Sequence, residues 1–142
     1  MQQALDHIGL QLSPEKTRIS TWGQGYSFLG FVLSSRSCRM RPKSLRKFKD
    51  KIRLLTARHY NFEAEVIVKL NRVIRGTARY FCCLTSSRDP YFKLDSWIRM
   101  RLRCMKFKRK RAADNFRLRN RRFSKLGLLT MAQFCSSPTA KA

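Results

Sequence analysis

Acid is what this chain has least of. Eight Asp and Glu side chains stand against 32 Lys and Arg in 142 residues. Histidine is almost absent too, and His7 and His59 have no second ligand at a spacing that would hold a metal. The five cysteines, Cys38, Cys82, Cys83, Cys104 and Cys135, are odd in number and include one adjacent pair. None sits in a CxxC spacing, which excludes a tetrahedral zinc knuckle and argues against a disulfide framework. They read as reduced, mostly buried, small apolar residues. No apolar run approaches the roughly 20 residues that span a bilayer, and neither end carries a lipidation signal. The opening MQQALDHIGLQL lacks the basic-then-apolar layout of a secretory leader, so the expectation is a cytoplasmic protein with no membrane partner.

What is there is positive charge. The formal net charge of +24 makes the surface repel itself, and nucleic acid is the commonest partner for such a surface. The charge is unevenly divided. Residues 1–35 carry two basic and two acidic side chains, whereas residues 36–125 carry 29 basic and six acidic, a net of +23. A neutral lobe is therefore joined to a basic one. With 43% apolar residues there is enough for a modest core in one domain or two small lobes.

In the neutral lobe a short helical segment stops at Gly9, Ser13–Lys16 has turn chemistry, and Thr17–Trp22 alternates as a strand. Gly23-Gln24-Gly25 reads as a hairpin turn and Tyr26–Leu33 as the returning strand. A lone hairpin is not stable in water, so it must pack on the helices that follow.

In the basic lobe, 36–41 reads as a short linker, and Pro42 with Ser44 as a helix start, the serine capping it. Leu45, Phe48, Ile52 and Leu55 then form one narrow apolar stripe. Arg46, Lys47, Lys49, Lys51 and Arg53 cover the rest, offset only by Asp50. The longest clean helical period runs from Glu63 to Leu84. Val66, Ile67, Leu70, Val73, Ile74, Thr77 and Phe81 share one side, and Arg72, Arg75 and Arg79 the other. The Ser-Ser and Asp-Pro content of Thr85–Pro90 breaks that helix, and Phe92 onward is helical again. Leu94, Ile98, Leu102 and Met105 form its core stripe beside Trp97, while Arg99, Arg103, Lys106 and Lys110 line another face. Solvation alone would explain one such face, but three helices each with a basic face suggest one merged anionic-ligand surface. The tracts Lys106–Arg111 and Arg117–Arg122 also fit nonspecific polyanion binding or nuclear localisation. Residues after Gly127 are weakly patterned, with Ser136–Ala142 a disordered tail.

Several segments, in order, carry a resemblance. IGLQLSPEKTRIS (Ile8–Ser20) and YSFLGFVL (Tyr26–Leu33) resemble the end of the palm of group II intron reverse transcriptases. RPKSLRKFKDKIRLLT (Arg41–Thr56), VIVKLNRVIRGTARYF (Val66–Phe81) and FKLDSWIRMRLRCMKFKRK (Phe92–Lys110) resemble that family's thumb and maturase-specific region, domain X. The resemblance covers about residues 5–126 and implies an RNA-binding role in splicing, with group II intron RNA as partner and template–primer nucleic acid as a further one. It also has departures. The family's YxDD loop, whose carboxylates hold two magnesium ions for polymerisation, does not occur in this sequence. Thr77 and Arg79 stand where the family's IRGW.NYF signature has Trp and Asn. No stretch of this sequence resembles the Cys-rich endonuclease module of some members.

The expected architecture is α+β, mainly α: an N-terminal β-hairpin followed by a small basic three-helix bundle. Residues 1–35 would be the residual end of a palm, 36–126 the thumb and domain X, and 127–142 a tail. The function expected is RNA binding without enzyme activity, with no cofactor; Mg2+ belongs only to the complete polymerase. The candidate RNA contacts are Arg46, Lys47, Lys49, Arg53, Arg72, Arg75, Arg79, Arg99, Arg103, Lys106 and Lys110. Two alternatives stay open: part of an RNA-directed DNA polymerase whose catalytic palm lies elsewhere, and a generic basic nucleic-acid-binding protein.

Overall fold

Leu29 and Gly30 both take positive φ, 45° and 86°, and this pair folds the aromatic stretch 26–33 back on itself. Such a two-residue turn matches the twist of a hairpin. In the computed structural model, which describes residues 11, 13, 21–82 and 87–135, the result is two strands where the sequence suggested one. Strand β1 is Tyr26–Phe28 and β2 is Phe31–Ser34, paired antiparallel with Phe28 opposite Phe31. The expected linker after them is instead β3, Ser37–Met40, which pairs with β2 to complete a three-stranded antiparallel sheet. The readings at Gly9, Ser13–Lys16 and Thr17–Trp22 lie almost wholly outside the described residues.

Gly30 is required where it stands. A Cβ there would lie 3.2 Å from Ser44 Oγ and 3.4 Å from the Phe81 ring, besides straining the backbone. Ser44 does not cap a helix: its hydroxyl donates to the Gly30 carbonyl at 3.3 Å, while Arg41 occupies the cap position and Pro42 the first turn. The Tyr80 hydroxyl donates to the Leu29 carbonyl at 2.7 Å, and Phe31 stacks 5.0 Å from Phe81 and 5.5 Å from Tyr80. These contacts dock the sheet on the helices.

Three long helices follow: α1 (Pro42–Leu55), α2 (Ala64–Phe81) and α3 (Asp89–Phe107). Helix α3 begins earlier than the sequence suggested, because Pro90 supplies a pre-set φ in its first turn rather than ending the preceding break. The apolar stripes meet as their spacing requires. Phe48 and Ile52 of α1, Ile67, Leu70, Ile74 and Ala78 of α2, and Leu94, Ile98 and Leu102 of α3 share one core. The fold is thus α+β and mainly α, with a small antiparallel sheet ahead of a helical bundle. Among the described cysteines, Cys38 is half-buried and Cys82, Cys104 and Cys135 are buried.

The chain after α3 is part of this core. Two short helices, α4 (Asp114–Arg117) and α5 (Asn120–Lys125), and a 3-10 turn at Ala132–Phe134 return across it. They deliver Leu118, Phe123, Met131 and Cys135 to the interior. The stretch from Gly127 to Cys135 is therefore no tail, despite its weak pattern, while Ser136–Ala142 lie outside the described residues. Single apolar residues separated by turns carry no period, although each fills a position. Among the described residues no helix is long and apolar enough to cross a membrane.

Candidate nucleic-acid interface

Helix α2 keeps its two faces apart because its period places Arg72, Arg75 and Arg79 opposite Leu70, Ile74 and Ala78. All three arginines are exposed. They surround, with Val68, Asn71 and Gly76, an open hollow of about 460 Å³. The ion pairs among the described residues are Arg53–Asp50, Lys69–Glu65 and Arg109–Asp114, so none of the three arginines is neutralised by a carboxylate there. Gly76 leaves bare backbone within the hollow, and a Cβ at that position would meet nothing within 4 Å. The arrangement offers guanidinium groups with the planar geometry that phosphate oxygens accept in pairs.

On α1, Arg46 and Lys47 are exposed and Lys49 is half-buried. Lys49 Nζ and Arg53 Cζ lie 5.7 and 5.8 Å from the centre of the Trp97 ring, which joins the α1 cations to α3. Arg53 is also held by Asp50 at 2.6 Å. On α3 the expected face divides. Lys106 is exposed with Nζ 5.6 Å from the Phe62 ring, Lys110 is exposed beyond the helix end, and Arg99 is half-buried beside Asp95 and Asn120.

Arg103 departs from the expected surface role. It is 7% exposed, donates from Nε to the Leu118 carbonyl at 2.9 Å and from Nη2 to Asn120 Oδ1 at 2.8 Å, and lies over the Phe123 ring. Desolvation, then the nearby Arg99 guanidinium, press its pKa below the ordinary arginine value. Its charge holds the segment joining α4 to α5. Spacing alone put it with Arg99 and Lys106, because helical period cannot foresee that a later segment covers one turn of the helix.

Other cations also hold structure. Arg101 donates to the Thr56 carbonyl at 2.9 Å and to the Thr56 hydroxyl at 3.1 Å, meeting the acceptor-rich end of α1. Lys108, left-handed at φ 56°, closes α3 and donates to the carbonyls of Arg58 and Tyr60, both at 2.6 Å.

Asp95, part of the FKLDSW segment, has a role the sequence reading did not assign. It is 4% exposed and accepts the backbone N–H of Met131 at 2.7 Å and of Ala132 at 3.1 Å. Burial raises its carboxyl above the ordinary 3.8, outweighing the two N–H donors and Arg99, which act the other way. Asn71 on α2 makes a parallel link, donating to the Gly127 carbonyl at 2.8 Å and accepting from Leu129 N–H at 2.9 Å. Among the described residues no three Asp, Glu, His or Cys side chains form a group able to hold a metal ion.

The structure thus gathers Arg72, Arg75 and Arg79 around one hollow and Lys49 with Arg53 over Trp97, and it withdraws Arg103 into the interior. No curated protein matches the chain. The family model described as group II intron, maturase-specific domain matches residues 45–125, from the first turn of α1 to the end of α5. That match takes in more than half of the sequence, and all three helices whose apolar stripes build the core lie within it apart from the first residues of α1, so the chain belongs to the group II intron maturase-specific domain family.

Proposed function

We propose that this chain binds folded group II intron RNA through the cationic faces of α1 and α2 and the exposed cations of α3, and by doing so stabilises the compact RNA that splices. The observation that carries this reading is the face of Arg72, Arg75 and Arg79, exposed and without a carboxylate partner among the described residues, in a domain of the maturase-specific family. Each arginine that meets a phosphate releases a condensed counterion, which favours association and makes it depend on salt. Structured RNA is recognised largely by shape and backbone, so a fixed array of guanidinium groups on a rigid helix can prefer one RNA fold over another. Arg46, Lys47, Lys49, Arg53, Arg99, Lys106 and Lys110 complete the array. Arg103 is left out because its donors serve Leu118 and Asn120.

A maturase-specific domain is not a polymerase catalytic domain. On this reading the chain by itself extends no primer, since the two-metal chemistry of nucleotide transfer needs clustered carboxylates and no YxDD occurs in its sequence. The deciding experiment measures affinity for a group II intron RNA and for an unrelated structured RNA of equal length. Preference for the intron RNA at every salt concentration supports the proposal. Equal affinity for the two RNAs rejects it in favour of a generic basic nucleic-acid-binding protein.

A further inference from the structure

The run Arg117–Arg122 reads in sequence as a plain basic tract, yet in the structure it surrounds an aromatic ring. Phe116 is 79% exposed, more than any other large apolar side chain among the described residues. With Arg117, Arg119, Arg121, Arg122 and Lys125 it lines an open hollow of about 640 Å³ containing one ring, five cations and no acid.

This ring is not on a loose loop. Two residues earlier, Asp114 is 1% exposed and accepts from Arg109 Nη2 at 3.2 Å. Two residues later, Leu118 is 1% exposed, and its carbonyl takes the Arg103 Nε hydrogen bond at 2.9 Å. Burying charge is costly unless it is paired, and two of the buried charges of this fold, Asp114 and Arg103, are spent on the two ends of the segment that carries Phe116. The segment therefore buries Leu118 and holds its other apolar residue, Phe116, out in water among cations, on a backbone anchored at both ends. Solvent exposure of a phenylalanine gives the isolated fold nothing, while a flat ring flanked by phosphate-binding groups suits one kind of ligand.

We propose that Phe116 is a stacking platform for an unpaired base of bound RNA, with Arg117, Arg119, Arg121, Arg122 and Lys125 taking the phosphates on either side. The inference rests on the RNA-binding reading above and adds a second mode to it. The α2 face grips backbone, whereas this hollow takes a splayed-out base, the element of RNA that single-strand recognition targets. The carboxylates of an acidic peptide would satisfy the cations but bring no π-face with them, whereas every nucleotide joins a phosphate to a flat base, so nucleic acid is the occupant the geometry favours.

The test uses the intact chain and its F116A, F116L and F116W variants. The ligands are group II intron RNA, a short single-stranded oligoribonucleotide, the same strand with abasic sites, and polyglutamate. Thermal melts should be unchanged, because the ring is exposed. Loss of the platform in F116A and F116L should weaken binding to the base-bearing RNAs by about five- to a hundredfold, leaving the salt slope unchanged, and F116W should restore it. The added tryptophan of F116W should be quenched by the base-bearing strand and not by the abasic one. Wild-type affinity in F116A, equal binding of the abasic strand, or an equal response to polyglutamate overturns the proposal. Equal affinity of the parent chain for intron and unrelated RNA removes the maturase reading alone, since the base-dependent binding of the oligoribonucleotide is read separately.

Discussion

Asp95, in the second turn of α3, accepts the backbone N–H of Met131 at 2.7 Å, 36 residues further along the chain. A second bond, from Ala132 N–H at 3.1 Å, makes the carboxylate the cap of the last described turn. Met131 is fully buried, so removing the acceptor strands its donor in the interior. Asp95→Ala should cost roughly 1 to 3 kcal/mol from that unsatisfied N–H alone. Urea unfolding with an unchanged m-value checks it, and a variant as stable as the parent chain would show that the contact does not hold the segment.

The same carboxyl makes stability depend on pH. Its folded-state pKa is raised above 3.8, so the folded chain holds this proton more tightly than the unfolded chain does. The resulting contribution to stability is full below the unfolded value and is lost as pH rises through the folded one. A carbon-detected NMR titration of the Asp95 carboxyl should give a midpoint above 3.8. A midpoint at or below that value would mean that the N–H donors outweigh burial.

Core and surface on α2 should separate cleanly. Leu70 is fully buried, and Leu70→Ala should cost roughly 2 to 5 kcal/mol through the cavity it leaves. Arg72→Ala and Arg75→Ala should each fall within about 0.5 kcal/mol of the parent, or stabilise slightly by easing self-repulsion. Thermal melts that ranked an arginine change as the more damaging would reverse the faces.

Arg103 should behave as a structural residue and not as part of the binding face. Arg103→Ala loses charge-assisted bonds to Leu118 and Asn120 and should cost about 1.5 to 3 kcal/mol. Arg99→Ala, one turn away, should cost much less. Equal melts for the two variants would place Arg103 among the solvent-facing cations after all.

The contrast between those two arginines marks what could be read from the sequence. The stripes of α1, α2 and α3 were legible because helical period reports burial directly, and Ile52, Leu70, Ile74, Ile98 and Leu102 all lie where it put them. The arginine face of α2 was legible for the same reason. Arg103 was not, because its burial is imposed by Leu118 and Phe123, residues of a segment with no period of its own. The hairpin was misread at Leu29-Gly30, since Leu is an unusual residue at positive φ and the turn is held by distant groups, the Tyr80 hydroxyl on Leu29, the Ser44 hydroxyl on Gly30 and the packing of Phe31 on α2. Met131 and Cys135 were missed in the same way, being single apolar residues of a segment that Asn71 ties to α2 at Gly127 and Leu129 and Asp95 ties to α3 at Met131 and Ala132.

The central claim is that Arg72, Arg75 and Arg79 meet phosphates of intron RNA, and its most direct test is the salt dependence of binding. The dissociation constant for group II intron RNA should be measured from low to high salt for the parent chain and for the triple variant R72A/R75A/R79A. Three lost phosphate contacts should reduce the slope of log Kd against log salt by about 2 to 3, with binding weakened most at low salt. An unchanged slope, with affinity within about twofold of the parent, would contradict the assignment of the α2 face to RNA.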